Sequence, residues 1–383
     1  MSTRGDDQLI DEASEAPIDT PFEATDRVRG GLGVRDNVLV VPSVICSHIT
    51  ADRIAAEIDG AVSLPHDHGC AQIGDDHEQT ERSLLNLTQN PNVAGATVVG
   101  LGCEHLQSGP FARRIRKQNV PVREVAIQAA GGSDACQREG IQRTKELVNA
   151  STTGGRRSTT LSELTIGVVS SDLADSTRDA ADPLVGAAVD RLLNAGARVV
   201  VAGSERLAPH ADKVIERAKQ SKVAAALQEA ANHHADRPGN VREVARRSAE
   251  FDFDTVVGTW GSAPVDEFVP YGGRASVTDG LVVTDAPSRF AEAATALAAA
   301  GASIIIHVTA EGIPTGHPVV PVVKVTADDA TAEVLEDDID VNARHATPTE
   351  LLKVLYQTAD GVPTAAERHG LTQFAIGRSG PSQ

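Results

Sequence analysis

Aromatic residues make up only 3% of the chain and methionine occurs once, so a core has to be assembled from Ala, Val, Leu and Ile. Lysine is almost as scarce: it stands only at 117, 145, 213, 219, 222, 324 and 353, which leaves Arg to carry most of the positive charge. No apolar run approaches the ~18 residues that a bilayer-spanning helix needs. The opening segment is acidic and polar and lacks the apolar stretch of a secretory signal. A cytoplasmic protein without membrane association is therefore expected. The four cysteines, Cys46, Cys70, Cys103 and Cys136, contain no CxxC spacing and do not read as a disulfide framework in a cytosolic chain. They are isolated ligands, reactive thiols or small buried apolar residues.

What is abundant is acid. The net charge is −18, and it is dispersed along the chain rather than gathered in one tail. With scarce Lys and plentiful Ala, Thr and Val, this composition suits a protein living in concentrated salt, as in haloarchaea. Screening there suppresses repulsion while surface carboxylates keep the protein hydrated. An ordinary acidic enzyme is the plainer alternative. Either way, nucleic acid and anionic membranes, which call for basic patches, are excluded as partners.

At 383 residues the chain has room for two or three cores. Residues 1–33 show no periodicity and read as a disordered acidic tail. From there apolar strand runs alternate with helical patterns: 37–41, 96–101 and 122–128 are strands, each followed by a loop and a helix. Residues 151–164 read as a polar linker. A second unit, 165–383, opens on the strand Ile166-Gly167-Val168-Val169 and continues with helices and strands that include 303–308 and 319–326. Asp182-Pro183 reads as a helix N-cap with Pro at the first helical position. The expected architecture is α/β, with two Rossmann-like parallel-sheet units (34–150 and 165–383) and helices on both faces. Open sheets of this kind bind ligands at the carboxyl ends of their strands, where the unusual residues of this chain gather.

The densest of those loops is Leu64-Pro65-His66-Asp67-His68-Gly69-Cys70. Two imidazoles and a thiol within five positions converge on a divalent metal if the loop curls, and this donor set suits Fe or Zn better than Mg. A polar loop with exposed histidines is the alternative. Gly102-Cys103-Glu104-His105 repeats the theme after the next strand, and Cys46-Ser47-His48 adds a third candidate at the same edge. Gly131-Gly132 lies between a strand and a helix, where backbone amides bind carboxylate or phosphate, although such pairs more often mark a tight turn. Ser171-Asp172 is its counterpart in the second unit. The loop 309–318 holds Glu311 and His317, a carboxylate and an imidazole placed for acid–base work or for an ordinary connection.

Taken in order, these segments resemble the altronate/galactarate dehydratase family, which also includes the large subunit of sulfolactate sulfo-lyase. The likeness runs through Gly33-Val34-Arg35-Asp36-Asn37, Pro65 to Cys70, Asn90-Pro91-Asn92 and Leu101-Gly102-Cys103-Glu104. It resumes at Ser171-Asp172, Gly186 to Leu192, Pro238-Gly239-Asn240, Asp279-Gly280-Leu281, Thr315-Gly316-His317 and Asp338 to Ala343, covering nearly the whole chain. The resemblance implies a metal-dependent hydro-lyase that removes water from a sugar acid to give a 2-keto-3-deoxy acid, with Fe(II) or Mn(II) as cofactor. It implies His66, His68, Cys70 and Glu104 near the metal. His317, Glu311, Arg247 and Ser248 are the implied catalytic set, and Ser171, Asp172, Asn240, Gly131 and Gly132 the substrate contacts. A separate small subunit and assembly into a homo-oligomer are expected partners.

The departures bear on activity. Where the family has paired glycines and a Glu-Lys-Ser stretch, this chain has Val241 to Ser248 without that lysine. Glu311 stands at or near a position usually held by Arg. With two substrate-clamping cations gone, Arg246 or Arg247 substitutes, the substrate differs, or the reaction is lost. A carbon–sulfur lyase of the sulfolactate type and a non-catalytic sugar-acid-binding or subunit-binding relative are the alternatives.

Overall fold

The computed structural model describes residues 17–70, 72–151, 155–236 and 243–378. Its first strand corrects the expectation of a tail for the described part of residues 1–33, of which 1–16 lie outside the described residues. Phe22–Asp26 (β1) is a strand that pairs antiparallel with Leu32–Gly33 (β2) on one side and with a segment of the expected linker on the other. The partners are so far apart, Phe22 opposite Thr159 and Thr25 opposite Arg156, that neither half shows a hydrophobic pattern alone. The side chains that hold them, Ile18, Phe22, Ala24 and Leu32, are buried against the larger core.

Four strands form the first parallel sheet: Asn37–Pro42 (β3), Ala61–Ser63 (β4), Val93–Gly100 (β5) and Val122–Ala126 (β6), in the order β4-β3-β5-β6. Helices His48–Ala56 (α1), Gly74–Thr88 (α2), Ser108–Lys117 (α3) and Ser133–Ser151 (α4) connect and cover them. The strand Arg156–Thr159 (β7) then closes the small antiparallel sheet with β1.

The second parallel sheet has seven strands: Thr165–Ser170 (β8), Arg198–Val201 (β9), Val265–Val269 (β10), Gly280–Thr284 (β11), Ile304–Val308 (β12), Val322–Thr326 (β13) and Val341–Asn342 (β14). Their order is β10-β11-β9-β8-β12-β13-β14, so the chain leaves β8 to one side and returns through β12 on the other. That makes the β8/β12 boundary a topological switch point, and β3 with β4 and β5 on either side makes one in the smaller sheet. Helix Asp182–Asn194 (α5) follows β8 after a π-turn at Thr177–Ala181. Asp182 is thus already helical and fully buried rather than a solvent-side cap, which corrects the capping expectation. Helix Ser221–Asp236 (α6) occupies part of the Ala-rich region.

Phe290–Ala300 (α7) joins the two sheets. Every residue of it except Glu292 is buried, and its alanines share one core cluster with Leu39, Leu84 and Val98 of the first unit and Val282 and Ile305 of the second. Side chains this small allow close approach on all sides. The Asn90 amide donates to the carbonyls of Ala298 and Ala302, both at 2.8 Å, and the Asn92 amide to Ser303 at 2.9 Å. The Asn-Pro-Asn turn is therefore the clamp that fixes one sheet against the other by satisfying the open carbonyl end of α7. No described helix is long and apolar enough to cross a membrane.

Candidate functional site

Between the two sheets lies a cleft of about 820 Å³, lined by His68 from the first unit and by Ser171, His234, Asp285, Phe290 and Arg289 from the second, with Arg378 at its edge. Ser171 follows β8 at the switch point, and its amide donates to Val308 at the end of β12. Buried Arg206 supports this strand end from behind, donating to the carbonyls of Ser170 and Asp172 and to Ser288 Oγ.

Behind Ser171 is a line of buried polar groups. Its Oγ is 2.7 Å from His307 Nε2, and Lys324 Nζ lies 2.9 Å from His307 Nδ1 and donates to the Thr315 carbonyl. The Phe290 ring stacks on the imidazole at 4.2 Å between centroids, and the Lys324 ammonium lies 4.0 Å from the same ring centre. Burial pulls Lys324 down to about 7, opposed by the nearby Asp340 carboxylate. Burial, reinforced by Lys324, also pushes His307 well below its ordinary value, so its imidazole is neutral. On the far wall, His234 Nε2 is 2.9 Å from Asp285 Oδ1 and from Ser204 Oγ, and Ser204 donates to the same carboxylate at 2.8 Å. Arg289 lines the cleft beside Glu292, and Arg378 beside Asp67.

Of the residues expected from the sequence, Ser171 and His68 reach this cleft. Asp172 organises the loop instead: its carboxylate accepts from the amides of Ala174 and Ala310 and from Thr177 Oγ1. Gly131 and Gly132, at φ +86° and +130°, form the turn into α4 and do not line the cleft. Ser248 is buried and bonded to Val244 of its own helix, while Arg247 donates to the Leu173 carbonyl. His317 lines a different cavity of about 550 Å³ with Arg35 and Pro65, and burial lowers it to about 3. Glu311 is exposed on its loop and lines neither cavity, so the structure does not join it to His317. Asn240 lies outside the described residues.

The four expected metal ligands do not form a set. His66 has its Nε2 2.8 Å from the Pro42 carbonyl and its Nδ1 accepting from the His68 amide, so both ring nitrogens face main chain. Glu104 is occupied by Ser43 Oγ and by the amides of Leu101 and Gly102. His68 Nε2 lies 3.2 Å from the Ile376 carbonyl. Among the described residues, no three His, Cys, Asp or Glu side chains are drawn together as a finished ligand set.

His307 and Lys324 escaped notice because each sits inside an apolar strand and only sheet register unites them. The signal was a single titratable residue in each of two buried runs, Ile304–Val308 and Val322–Thr326.

Two known family domains match the sequence on either side of this cleft. The second domain of D-galactarate dehydratase/altronate hydrolase corresponds to residues 25–152, and the C-terminal domain of D-galactarate/altronate dehydratase to residues 257–382. The chain belongs to the D-galactarate/altronate dehydratase family. It is 27% identical to the altronate dehydratase of Bacillus subtilis (strain 168), over 97% of this chain and 80% of that protein. The altronate dehydratase of Escherichia coli (strain K12) is also 27% identical, over 94% of this chain and 80% of its own length. The (2R)-sulfolactate sulfo-lyase subunit beta of Chromohalobacter salexigens is 26% identical, over 92% of this chain and 96% of that subunit. The first family domain spans the whole smaller sheet, and the second spans β10 to β14 of the larger one.

Proposed function

We propose that the chain is a hydro-lyase that removes water from an aldonate or aldarate in the cleft between its sheets, giving a 2-keto-3-deoxy acid. Family membership supports the reaction class, and the relay behind Ser171 is the observation that supports the place. The proton next to a carboxylate is weakly acidic, so it must be taken by a positioned acceptor while the developing charge is held by cations. Arg289 and Arg378 hold the substrate carboxylate. The Ser171 hydroxyl faces the carbon that loses its proton, and His307 and Lys324 carry that proton away from the cleft. The His234–Asp285 pair on the opposite wall delivers a proton to the departing hydroxide.

The divalent metal expected for this reaction, Fe(II) or Mn(II), remains part of the proposal, but His66, His68, Cys70 and Glu104 are not drawn together to hold it: His66 is turned to main chain and Glu104 is taken up by Ser43 and the amides of Leu101 and Gly102. A separate small subunit completing the site belongs to the same reading, supported by the near full-length match to a relative named as a beta subunit. That match also supports a second reading, in which the leaving group is sulfite instead of hydroxide.

The test is a screen of sugar acids and sulfolactate with the purified chain in high salt, with and without a candidate small subunit, assaying 2-keto-3-deoxy acid and sulfite. Product from a sugar acid that is lost in Ser171→Ala supports the reading. Sulfite release alone selects the second reading. Turnover undiminished in Ser171→Ala removes the cleft as the place of reaction.

A further inference from the structure

Two arginines from distant parts of the chain meet on one carbonyl oxygen at the end of α2. Arg29, in the turn between β1 and β2, donates to the Gln89 carbonyl through Nε at 3.2 Å. Arg274, in the segment between β10 and β11, donates to the same oxygen through Nη1 at 2.9 Å. Arg29 Nη2 also donates to the carbonyls of Asn90, at 2.8 Å, and Val93. Gln89 caps the carboxyl end of α2, and such an end carries only about half an elementary negative charge. Most of two full positive charges is left unbalanced. Among the described residues no acid pairs with either: the charges felt by Arg29 are those of Arg27 and Arg274, and the one felt by Arg274 is that of Arg198. Burial first, and then these like charges, pull Arg29 down to about 9. Acids of the adjoining segments are taken. Asp36 pairs with Arg27, and Glu267 accepts from Ser276 Oγ and from the amides of Ser276 and Val277. Arg29 Nη1 and the Nε and Nη2 groups of Arg274 meet no acceptor among the described residues, and both side chains are half-buried rather than sealed.

We propose that Arg29 and Arg274 form a site for a small inorganic oxyanion, sulfate or phosphate, which pins the β1–β2 hairpin and the β10–β11 segment to α2. A guanidinium presents its N–H groups as a planar fork that fits two oxygens of such an ion, and two forks balance a divalent charge. A chain of net charge −18 repels anions over most of its surface, so holding one takes a local excess of cation of this kind. The site is separate from the cleft, which neither arginine lines, and it does not rest on the hydro-lyase reading. The hairpin, α2 and the β10–β11 segment come together only on folding. An ion held there binds the native chain and not the unfolded one, and so stabilises it.

The experiment is thermal melting of the whole chain while chloride is replaced by sulfate or by phosphate at constant ionic strength, with added chloride alone as a third series. The melting temperature should rise with the logarithm of oxyanion concentration above the dissociation constant, as binding to one native site requires. Exclusion of kosmotropic salt from the surface instead grows steadily with concentration and survives in every variant. Arg29→Gln and Arg274→Gln should each weaken the ion's affinity by about tenfold or more, and Arg29→Lys, which keeps the charge and loses the fork, should fall between. Arg289→Ala and Arg378→Ala should keep the full effect, which separates this site from the cleft. Equilibrium dialysis of the unaltered chain against labelled sulfate stands beside the variants: phosphate should displace the ion and equivalent chloride should not. The series that responds at the lower concentration identifies which oxyanion the site prefers. No rise in the parent, a rise that both Gln variants share in full, a rise that chloride alone reproduces, or dialysis without bound sulfate overturns the proposal.

Discussion

His307 and Lys324 are register partners on adjacent parallel strands, and their side chains meet at 2.9 Å with the lysine fully buried. A buried cation without a carboxylate against its ammonium is expensive, and strands here would be cheaper to build with valine. Keeping Lys324 makes sense where its proton is used.

Lys324→Met should therefore lower kcat on the order of a hundredfold, with a smaller change in KM, because the group acts through Ser171 and does not hold substrate. The pH dependence separates this role from simple packing. Lys324 is lowered from 10.5 to about 7 in the folded chain, so between those values the unfolded chain binds a proton that the native chain does not. Stability must rise with pH across that window, by about 1.4 kcal/mol at most for each step of one in pH. Urea midpoints measured from neutral to alkaline pH should show that rise in the parent and a flatter profile in Lys324→Met. Equal profiles, or unchanged turnover, would count against the relay.

Arg289 and Arg378 make a different forecast. Both reach the cleft from exposed positions paired with acids of their own, Glu292 and Asp67. Such surface pairs add little to stability. Arg289→Ala and Arg378→Ala should leave the melting temperature nearly unchanged and raise KM for a sugar acid by about tenfold or more each, as loss of a charge-assisted carboxylate contact does. A loss confined to kcat would show that neither holds the ground-state carboxylate.

Much of the scaffold was legible in the chain, because buried parallel strands announce themselves as apolar runs: 37–41 and 166–169 both became strands. The loops at strand ends are also legible, and one of them carries Ser171, which lines the cleft. What escaped depends on partners distant in sequence. The β1–β7 pairing joins residues from either side of the first unit, so its two polar-looking halves passed for a tail and a linker. His66 looked like a ligand by spacing, but its ring turns inward to the Pro42 carbonyl, and spacing says nothing about side-chain direction.

Gly186 lies within one of the segments resembling the dehydratase family, and the structure supplies a reason for glycine there. A Cβ at Gly186 would stand 2.1 Å from the Gly258 carbonyl, where α5 presses against main chain. Gly186→Ala should destabilise by about 1–3 kcal/mol or prevent folding, since neither backbone can retreat cheaply. Gly109→Ala, on α3 with only the flexible Arg113 side chain 3.7 Å away, should instead change stability by less than about 1 kcal/mol, because the helix gain of alanine is offset by the Pro110 that follows. Chemical denaturation of both variants checks the contrast, and a similar loss in the two would refute the contact argument.

Asp182 reverses the sign seen at Lys324. Its carboxyl is fully buried in α5, and burial raises it from 3.8 to about 7 against the opposing pull of Arg206, whose guanidinium is 4.0 Å away. Between those values the native chain holds a proton that the unfolded chain has released, so this group's contribution to stability is fully present at low pH and is lost as pH rises toward and through 7. Asp182→Asn keeps the shape and removes the ionisation. The variant should match the parent near pH 4, become the more stable of the two above pH 7, and show a flatter profile between. Thermal melts across that range decide the matter. A variant that loses stability at every pH would mean that the ionised carboxylate, paired with Arg206, is the form this helix needs.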